Sequence, residues 1–400
     1  MRPLMRIEKL TIKNYRVFKE VVIQSPGGFS AFVGANGSGK STLFDIFAFL
    51  RDALQDNVHV ALAKRGGYKE VVSRGHDGAV SIEVKFRDTS SPKGDKAPLA
   101  TYRLDVGVNK GHGIVEREVL KYRRGQHGQP WHFLDFTRGE GQAVTNEADY
   151  GKPEAEMERE QQRLDSPDIL AIKGLGQFQR FQVVSAFRRL VERWHLSDFH
   201  IQAARPSQEE GYAEHLSREG DNLALVTRFM FENHRKRFNA VLERMAQRIP
   251  GIKHVEATST VDGRLVLRFR DGAFQDPFIA RFVSDGTIKM FAYLVLLNDP
   301  SPHPLLCVEE PENQLYPALL PELAEEFREY GSRGGQVMVS THAPDFLNAL
   351  EIEEVFWLNK QDGFTKIHRA SDDEQLKALV AAGDPLGALW RQGLFQGAHP

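Results

Sequence analysis

The stretch Phe32-Val33-Gly34-Ala35-Asn36-Gly37-Ser38-Gly39-Lys40-Ser41-Thr42 constrains this chain more than any other. A short apolar run enters a glycine-rich turn, and Lys-Ser-Thr opens a helical pattern from Leu43 to Leu54. Glycines let the backbone turn tightly, so that N–H groups converge on one point. The following helix aims its positive dipole end at the same point. The spacing G-x-x-x-x-G-K-[ST] falls on Gly34, Gly39, Lys40 and Ser41, which reads as a loop that cradles nucleoside phosphates. Lys40 is then placed for the β- and γ-phosphates, and the Ser41 hydroxyl for Mg²⁺.

The chain has 400 residues, 41% hydrophobic and 26% charged, which is ordinary for a globular protein with a sizeable core. Its net charge of −2 makes it no polycation, so any nucleic-acid contact needs a local basic patch. Cys307 is the single cysteine, which excludes an internal disulfide and a cysteine metal cluster, and fits a reducing cytoplasm. No apolar run approaches the ~20 residues of a membrane span, and Lys9, Lys13 and Arg16 interrupt any signal-peptide core. A cytoplasmic protein without a membrane partner is expected.

Along the chain, Ile7 to Ile12 and Val17 to Ile23 read as two strands ahead of the strand Phe29 to Val33. Alternating stretches at Val80 to Phe86, Ala100 to Val108, Val115 to Tyr122 and Trp131 to Phe136 predict an antiparallel subdomain. Thr137 to Leu164 is polar, with carboxylates dense from Glu154 to Glu160, and reads as a solvated loop or exposed helix. Helical spacing returns from Ile169 to Leu190, and Phe199 to Ile201 reads as a strand. Asn222 to Ile249 is the longest helical signal, ended by Pro250-Gly251. These shifts divide the chain into an N-terminal lobe (1–136), a helical subdomain (137–250), a C-terminal lobe (251–370) and a tail (371–400).

The C-terminal lobe holds further residues suited to phosphate chemistry. Leu305 to Val308 is an apolar strand that ends in Glu309 and Glu310. One carboxylate there can hold Mg²⁺ and its neighbour can polarise a water, which assigns Glu309 to the metal and Glu310 to the base. Gln336 to Thr341 is another such strand, followed by His342, which can hydrogen-bond a phosphate or the attacking water. Ser284 and Gly286 precede an apolar helix, Ile288 to Leu297, another start suited to an anion. Each has a plain alternative as well: an acidic turn, or an ordinary helix cap.

Taken together these residues resemble the ABC-type ATPase superfamily, in its RecF/SMC-like branch. More narrowly the chain is similar to bacterial predicted AAA-type ATPases related to the ATPase part of OLD-family proteins. The resemblance rests on Ile7 to Phe18, the phosphate loop, Gly220-Asp221-Asn222-Leu223, Phe282 to Thr287, Val308 to Asn313 with Leu315-Tyr316-Pro317, and Ser340 to Pro344. It implies an α/β P-loop NTPase of the ABC-ATPase head type: a mixed β-sheet core, an antiparallel β subdomain and a helical subdomain. It also implies ATP and Mg²⁺ as cofactors. Ser284 and Gly286 match the signature that reaches the nucleotide of another subunit, and His342 matches the switch histidine. A head-to-tail homodimer with ATP sandwiched between the copies follows from that match.

Two departures stand out. The signature reads Ser-Asp-Gly-Thr, unlike that of transporters, and Glu309 stands where many relatives carry Asp. The Mg²⁺-sensing glutamine is open among Gln177, Gln179 and Gln182, and Arg65 or Arg74 resembles an arginine placed near the nucleotide. No stretch carries the sustained heptads of SMC arms.

The function expected is an ATP-hydrolysing switch acting on DNA or a partner effector, in DNA maintenance or phage defence. A non-catalytic DNA clamp is the alternative, with Arg235-Lys236-Arg237, Arg244 and Arg248 as its basic helix face, although such a face is commonly just solvated. A nuclease is weaker, resting on His195, Asp198 and His200.

Overall fold

The structure is a computed structural model and describes residues 5–88, 99–123, 131–145, 158–273, 276–396 and 398. Among these residues the strands form three sheets. The central one has six strands in the order His195–Ser197, Leu306–Glu309, Val337–Thr341, Phe29–Val33, Val355–Gln361 and Phe364–Arg369. The first five run parallel and the last pairs antiparallel.

Parallel strands buried on both faces are apolar throughout, and alternate residues go to opposite sides. Phe29, Ala31 and Val33 enter one core while Phe32 enters the other. Leu306 and Val308 likewise part from Leu305 and Cys307, as do Val337 and Val339 from Met338. The first core lies under the helices Leu223–Asn233, Arg235–Arg248, Asp285–Leu297 and Leu320–Ser332. The second lies between the central sheet, the helix Lys40–Gln55 and an antiparallel sheet, with Phe32 stacked on Phe356 at 5.2 Å.

That antiparallel sheet has eight strands: Phe18–Gln24, Met5–Tyr15, Val80–Asp88, Leu99–Asn109, His112–Arg123, Trp131–Thr137, Glu140–Val144 and Arg159–Arg163. The first six match the alternation of the sequence. The last two correct the reading of 137–164 as loop or exposed helix at Glu140–Val144 and Arg159–Arg163, while residues 146–157 lie outside the described residues. Glu140–Val144 pairs on both sides and buries Ala143 and Val144, while the polar Arg159–Arg163 forms the sheet's edge, held by cross-strand hydrogen bonds. Of the carboxylate-rich run, residues 154–157 lie outside the described residues.

The unit expected at 137–250 is therefore divided. It begins in the N-terminal sheet, and its helices Ala171–Leu175 and Gln182–Glu192 pack into the second core. Leu223–Asn233 and Arg235–Arg248 pack into the first. The single long helix expected from Asn222 to Ile249 breaks at His234, whose φ of −134° leaves the helical region. Asn233 contributes by donating its side-chain amide to the Phe229 carbonyl at 3.1 Å. The strand expected at Phe199 to Ile201 lies at His195–Ser197 instead, and Ile201–Ala204 is a helical turn. Ile252–Ser259 and Arg264–Asp271 form a third sheet with Gln208–Glu209 and Phe278–Ile279. No helix among the described residues is long and apolar enough to cross a membrane.

Candidate functional site

The loop strand Phe29–Val33 delivers Gly34 directly into the turn. A Cβ on Gly34 would lie 2.4 Å from Ser38 Oγ and 2.9 Å from the Leu358 carbonyl, so only glycine fits this close approach. Gly37 and Gly39 take φ values of +76° and +107°. The helix Lys40–Gln55 starts there, with no acidic residue in its first turn to oppose an anion. The Ser38 hydroxyl is buried without a hydrogen-bond partner. Lys40 is 7% exposed, and its ammonium folds back onto the Gly34 carbonyl at 2.6 Å and the Ala35 carbonyl at 3.4 Å. Burial pushes its pKa down, against the pull of Glu310 and Glu312. An anion in the loop would satisfy both Lys40 and Ser38, so the residues present fit a phosphate group.

Beside the loop, three adjacent parallel strands end together. Glu309 pairs in register with Ser340, and Thr341 with Val33. Residues just past such strand ends line the crevice where open α/β sheets bind ligands. The Ser41 hydroxyl lies near enough to Glu309 to favour its ionised form, and Arg218 approaches the same carboxylate at 3.2 Å. Burial pushes Glu309 upward, and these two contacts oppose it. The expected pair Ser41 and Glu309 is thus brought together.

Glu310 turns out of the strand with a left-handed φ of +42°, which costs a side-chain-bearing residue on the order of 1 kcal/mol. Its Oε2 meets His342 Nδ1 at 2.5 Å, and its Oε1 lies 3.9 Å from Lys40 Nζ. Burial beside Glu312 pushes the Glu310 carboxyl up to about 8, against the pull of Lys40. Glu312 accepts from the Thr341 hydroxyl at 2.6 Å and from the His342 amide at 3.1 Å. Glu310, Glu312 and His342 also form a group with donor atoms within 4.8 Å of one another, able to hold a cation.

The sequence reading gave no role to Glu312, Lys289 or Arg218. Lys289 is 2% exposed, on a helix in which every residue from Thr287 to Leu297 is buried. Its ammonium donates to the Asn313 carbonyl at 2.7 Å and the Glu310 carbonyl at 3.4 Å. Burial pushes its pKa down to about 8, with Glu312, Asp198 and Glu310 pulling the other way. A lone lysine inside an otherwise apolar helix was the available signal.

Ser284 does not join the site of its own chain. Its hydroxyl caps the helix Asp285–Leu297 by accepting from the Thr287 amide at 3.2 Å. Gly286 lies against the strand-end loop, where an added Cβ would be 3.1 Å from the Gln314 carbonyl. Phe282 and Tyr316 beside them are 74% and 71% exposed.

Other expectations are redirected by local pairing. Arg65 is held by Asp45 and Asp52 of the loop helix, each at 2.8 Å, while Arg74 pairs with Glu70 on the surface. Gln177 bonds the Lys173 carbonyl, Gln179 is exposed, and the side chain of Gln182 lies outside the described residues. The basic helix face is largely used internally. Arg244 pairs with Glu326 and Glu329, Arg248 with Glu322 and Glu326, and Arg237 bonds the Asp299 carbonyl. Arg235, 3.8 Å over the Phe231 ring, stays exposed together with Lys236 and Arg237. His195 and His200 part company, one buried and the other exposed beside Asp198, so the cluster behind the nuclease reading does not form.

The sequence profile described as "AAA ATPase domain" matches residues 5–223. The chain belongs to the AAA ATPase domain family. A second profile, described as "AAA domain, putative AbiEii toxin, Type IV TA system", matches residues 121–348. Among curated proteins, it is 43% identical over 47 residues to the chromosome partition protein Smc of Methanocaldococcus jannaschii, covering 12% of this chain and 4% of that one. It is 26% identical over 138 residues to the DNA replication and repair protein RecF of Beutenbergia cavernae, covering 33% and 34%. The chain therefore spans only 4% and 34% of the lengths of these two relatives. Among solved structures, an Smc head bound to the C-terminal winged-helix domain of ScpA superposes with a TM-score of 0.56 at 16% identity, covering 90% of this chain and 97% of the head. A Pyrococcus furiosus Smc head with an extended coiled coil, bound to the C-terminal domain of ScpA, gives 0.50 at 17%, covering 95% and 100%. The fold is that of an SMC head, and the ATPase domain is of the SMC/RecF type.

Proposed function

We propose that this domain binds ATP with Mg²⁺, hydrolyses it, and closes head to tail with a second copy as a nucleotide-dependent switch. The observation that carries the reading is the meeting of Lys40, Glu310 and His342 where three parallel strands end. Mg²⁺ neutralises phosphate charge and orients the γ-phosphate when bound. Ser41 and Glu309 are the side chains for the metal. The loop from Gly34 to Thr42, through Ala35, Asn36, Gly37, Ser38, Gly39 and Lys40, holds the phosphates. Glu310 accepts a proton from the attacking water, His342 orients the Glu310 carboxylate, and Lys289 fixes the loop that carries it.

Ser284 and Gly286 complete the site of the partner copy. Support comes from the Ser284 hydroxyl, whose contacts are with Thr287 of its own helix start, and from the exposed Phe278, Ile279, Phe282 and Tyr316. The output is a partner effector or DNA, in DNA maintenance or phage defence within the cytoplasm. A protein effector is the better supported, because Arg244 and Arg248 are already paired with carboxylates. The link to OLD-family proteins rests on the sequence resemblance.

A complementation assay tests the composite site. Lys40→Ala and Ser284→Arg chains are each expected to be inactive, and mixing them should restore turnover through one intact shared site. Equal inactivity of the mixture would remove the sandwich from the account.

A further inference from the structure

At the end of the Leu306–Glu309 strand opposite the carboxylates, three ligand-type side chains meet that the nucleotide chemistry does not use. Asp299 follows the buried helix Asp285–Leu297, His303 precedes the strand, and His215 comes from the segment before the helix Leu223–Asn233. One donor atom from each lies within 4.8 Å of the others. Asp299 is 3% exposed and His303 8%. His215 Nδ1 lies 2.6 Å from Asp299 Oδ2, and His303 Nε2 lies 3.7 Å from the same oxygen.

The tautomer of His303 decides what belongs there. Its Nδ1 faces the Arg193 carbonyl at 3.0 Å, and a carbonyl only accepts, so Nδ1 carries the proton. In the neutral ring Nε2 is then a lone pair, buried without a hydrogen-bond partner. Its neighbour, Asp299 Oδ2, is also an acceptor and takes the Nδ1–H of His215 at 2.6 Å, so nothing donates to Nε2 of His303. A cation that displaces the His215 proton would meet both ring nitrogens and the carboxylate at once. The Nδ1–H bond to a main-chain carbonyl is also the outer contact that metal-bound histidines make.

The rest of the surroundings leave Oδ2 to the imidazoles. Asp299 Oδ1 accepts from the Ser301 amide at 2.7 Å, and Arg237 binds only the Asp299 main-chain carbonyl. His195 stacks on His303 at 4.7 Å with its own Nε2 unpartnered.

We propose that His215, Asp299 and His303 form a binding site for a divalent transition-metal ion of the zinc class. Two imidazoles and a carboxylate suit that class. Tetrahedral bonds of about 2.0–2.2 Å put neighbouring donors about 3.4 Å apart, a value that the observed 2.6 and 3.7 Å straddle. His215 is half-buried and gives the ion its path of entry. A bound ion ties the far end of the Asp285–Leu297 helix to the strand that carries Glu309. It also ties both to the segment that brings Arg218 to Glu309. The site is independent of the ATP reading.

The test uses the full chain, stripped by a chelator and titrated with Zn²⁺ in competition with a chromogenic chelator, without nucleotide. One equivalent should bind, and His303→Gln and His215→Gln should each weaken it by on the order of 100-fold. His342→Ala should leave it unchanged, which separates this site from the carboxylates beside the phosphate loop. Co²⁺ added to the unaltered chain should give intense visible bands of a tetrahedral site, a readout that needs no variant to fold. Absence of saturable Zn²⁺ binding, absence of those bands, or binding lost with His342 and kept without His303 would each overturn the proposal.

Discussion

Nδ1 of His342 lies 2.5 Å from Oε2 of Glu310, while Oε1 of the same carboxylate lies 3.9 Å from the Lys40 ammonium. Residues from three distant parts of the chain thus meet on one carboxylate. What places them is the sheet, because Leu306–Glu309, Val337–Thr341 and Phe29–Val33 are neighbours that end level. What holds Glu310 in its left-handed turn is less visible. Its amide bonds the Ser340 carbonyl at 3.0 Å, and its carbonyl is held by Lys289 from the helix beneath.

Lys289→Met therefore separates positioning from binding. The methionine keeps most of the buried volume and removes both bonds to the loop. Turnover should fall by on the order of 10- to 100-fold, as small misplacements of a reacting group do. Nucleotide affinity, measured by fluorescence titration, should change by no more than about 3-fold, because Lys289 touches no part of the phosphate loop.

The pH dependence follows from the raised Glu310 value. A base must be ionised, so kcat/KM should rise with pH and level off above about 8. Stability runs the other way. With a folded value of about 8 against an ordinary 4.5, the native state holds more protons than the unfolded chain between them. The contribution of this group is complete below 4.5 and is lost as pH rises toward 8. Glu310→Gln carries no such charge, so thermal melts should show it more stable than the unaltered chain at pH 9 and equal to it near pH 5.

Glu118 is a structural counterpart. Its fully buried carboxylate accepts from the Tyr102 hydroxyl and from the amides of Ala171 and Ile172, and so caps a helix from within the antiparallel sheet. Glu118→Ala leaves these donors unmet and should destabilise the domain by about 2–4 kcal/mol in urea unfolding, with Lys40 chemistry untouched in the folded fraction.

The basic helix gives a prediction that discriminates. Arg244 is tied to Glu326, which is 2% exposed, and to Glu329. Arg244→Ala leaves the buried Glu326 with Arg248 as its one remaining guanidinium partner and should cost about 2 kcal/mol of stability. DNA affinity in a salt titration should stay where it was, whatever its starting value. A loss of affinity with unchanged stability would return this face to the DNA reading.

Much of this was legible beforehand for a physical reason. The phosphate loop, the Glu309-Glu310 strand end and His342 sit on short buried strands whose apolar runs announce them, and parallel pairing then aligns their ends. Lys289 and Glu312 were harder to see because their work is done across elements. A buried lysine bonding main-chain carbonyls leaves no spacing rule. Glu140–Val144 was missed because its two buried residues, Ala143 and Val144, are adjacent and do not alternate, and Arg159–Arg163 because a polar edge strand lacks alternation altogether. Arg244 and Arg248 looked like a free cationic face because the glutamates that meet them lie some eighty positions downstream in the chain.

In the proposed reaction Glu310 activates the water that attacks ATP. The most direct measurement is ATP turnover with Mg²⁺ by Glu310→Gln, taken beside its nucleotide affinity and its sedimentation with ATP. Turnover should be lower by on the order of 100-fold or more, with affinity retained and an ATP-bound dimer that accumulates. Turnover equal to that of the unaltered chain, with no dimer, would contradict that role of Glu310.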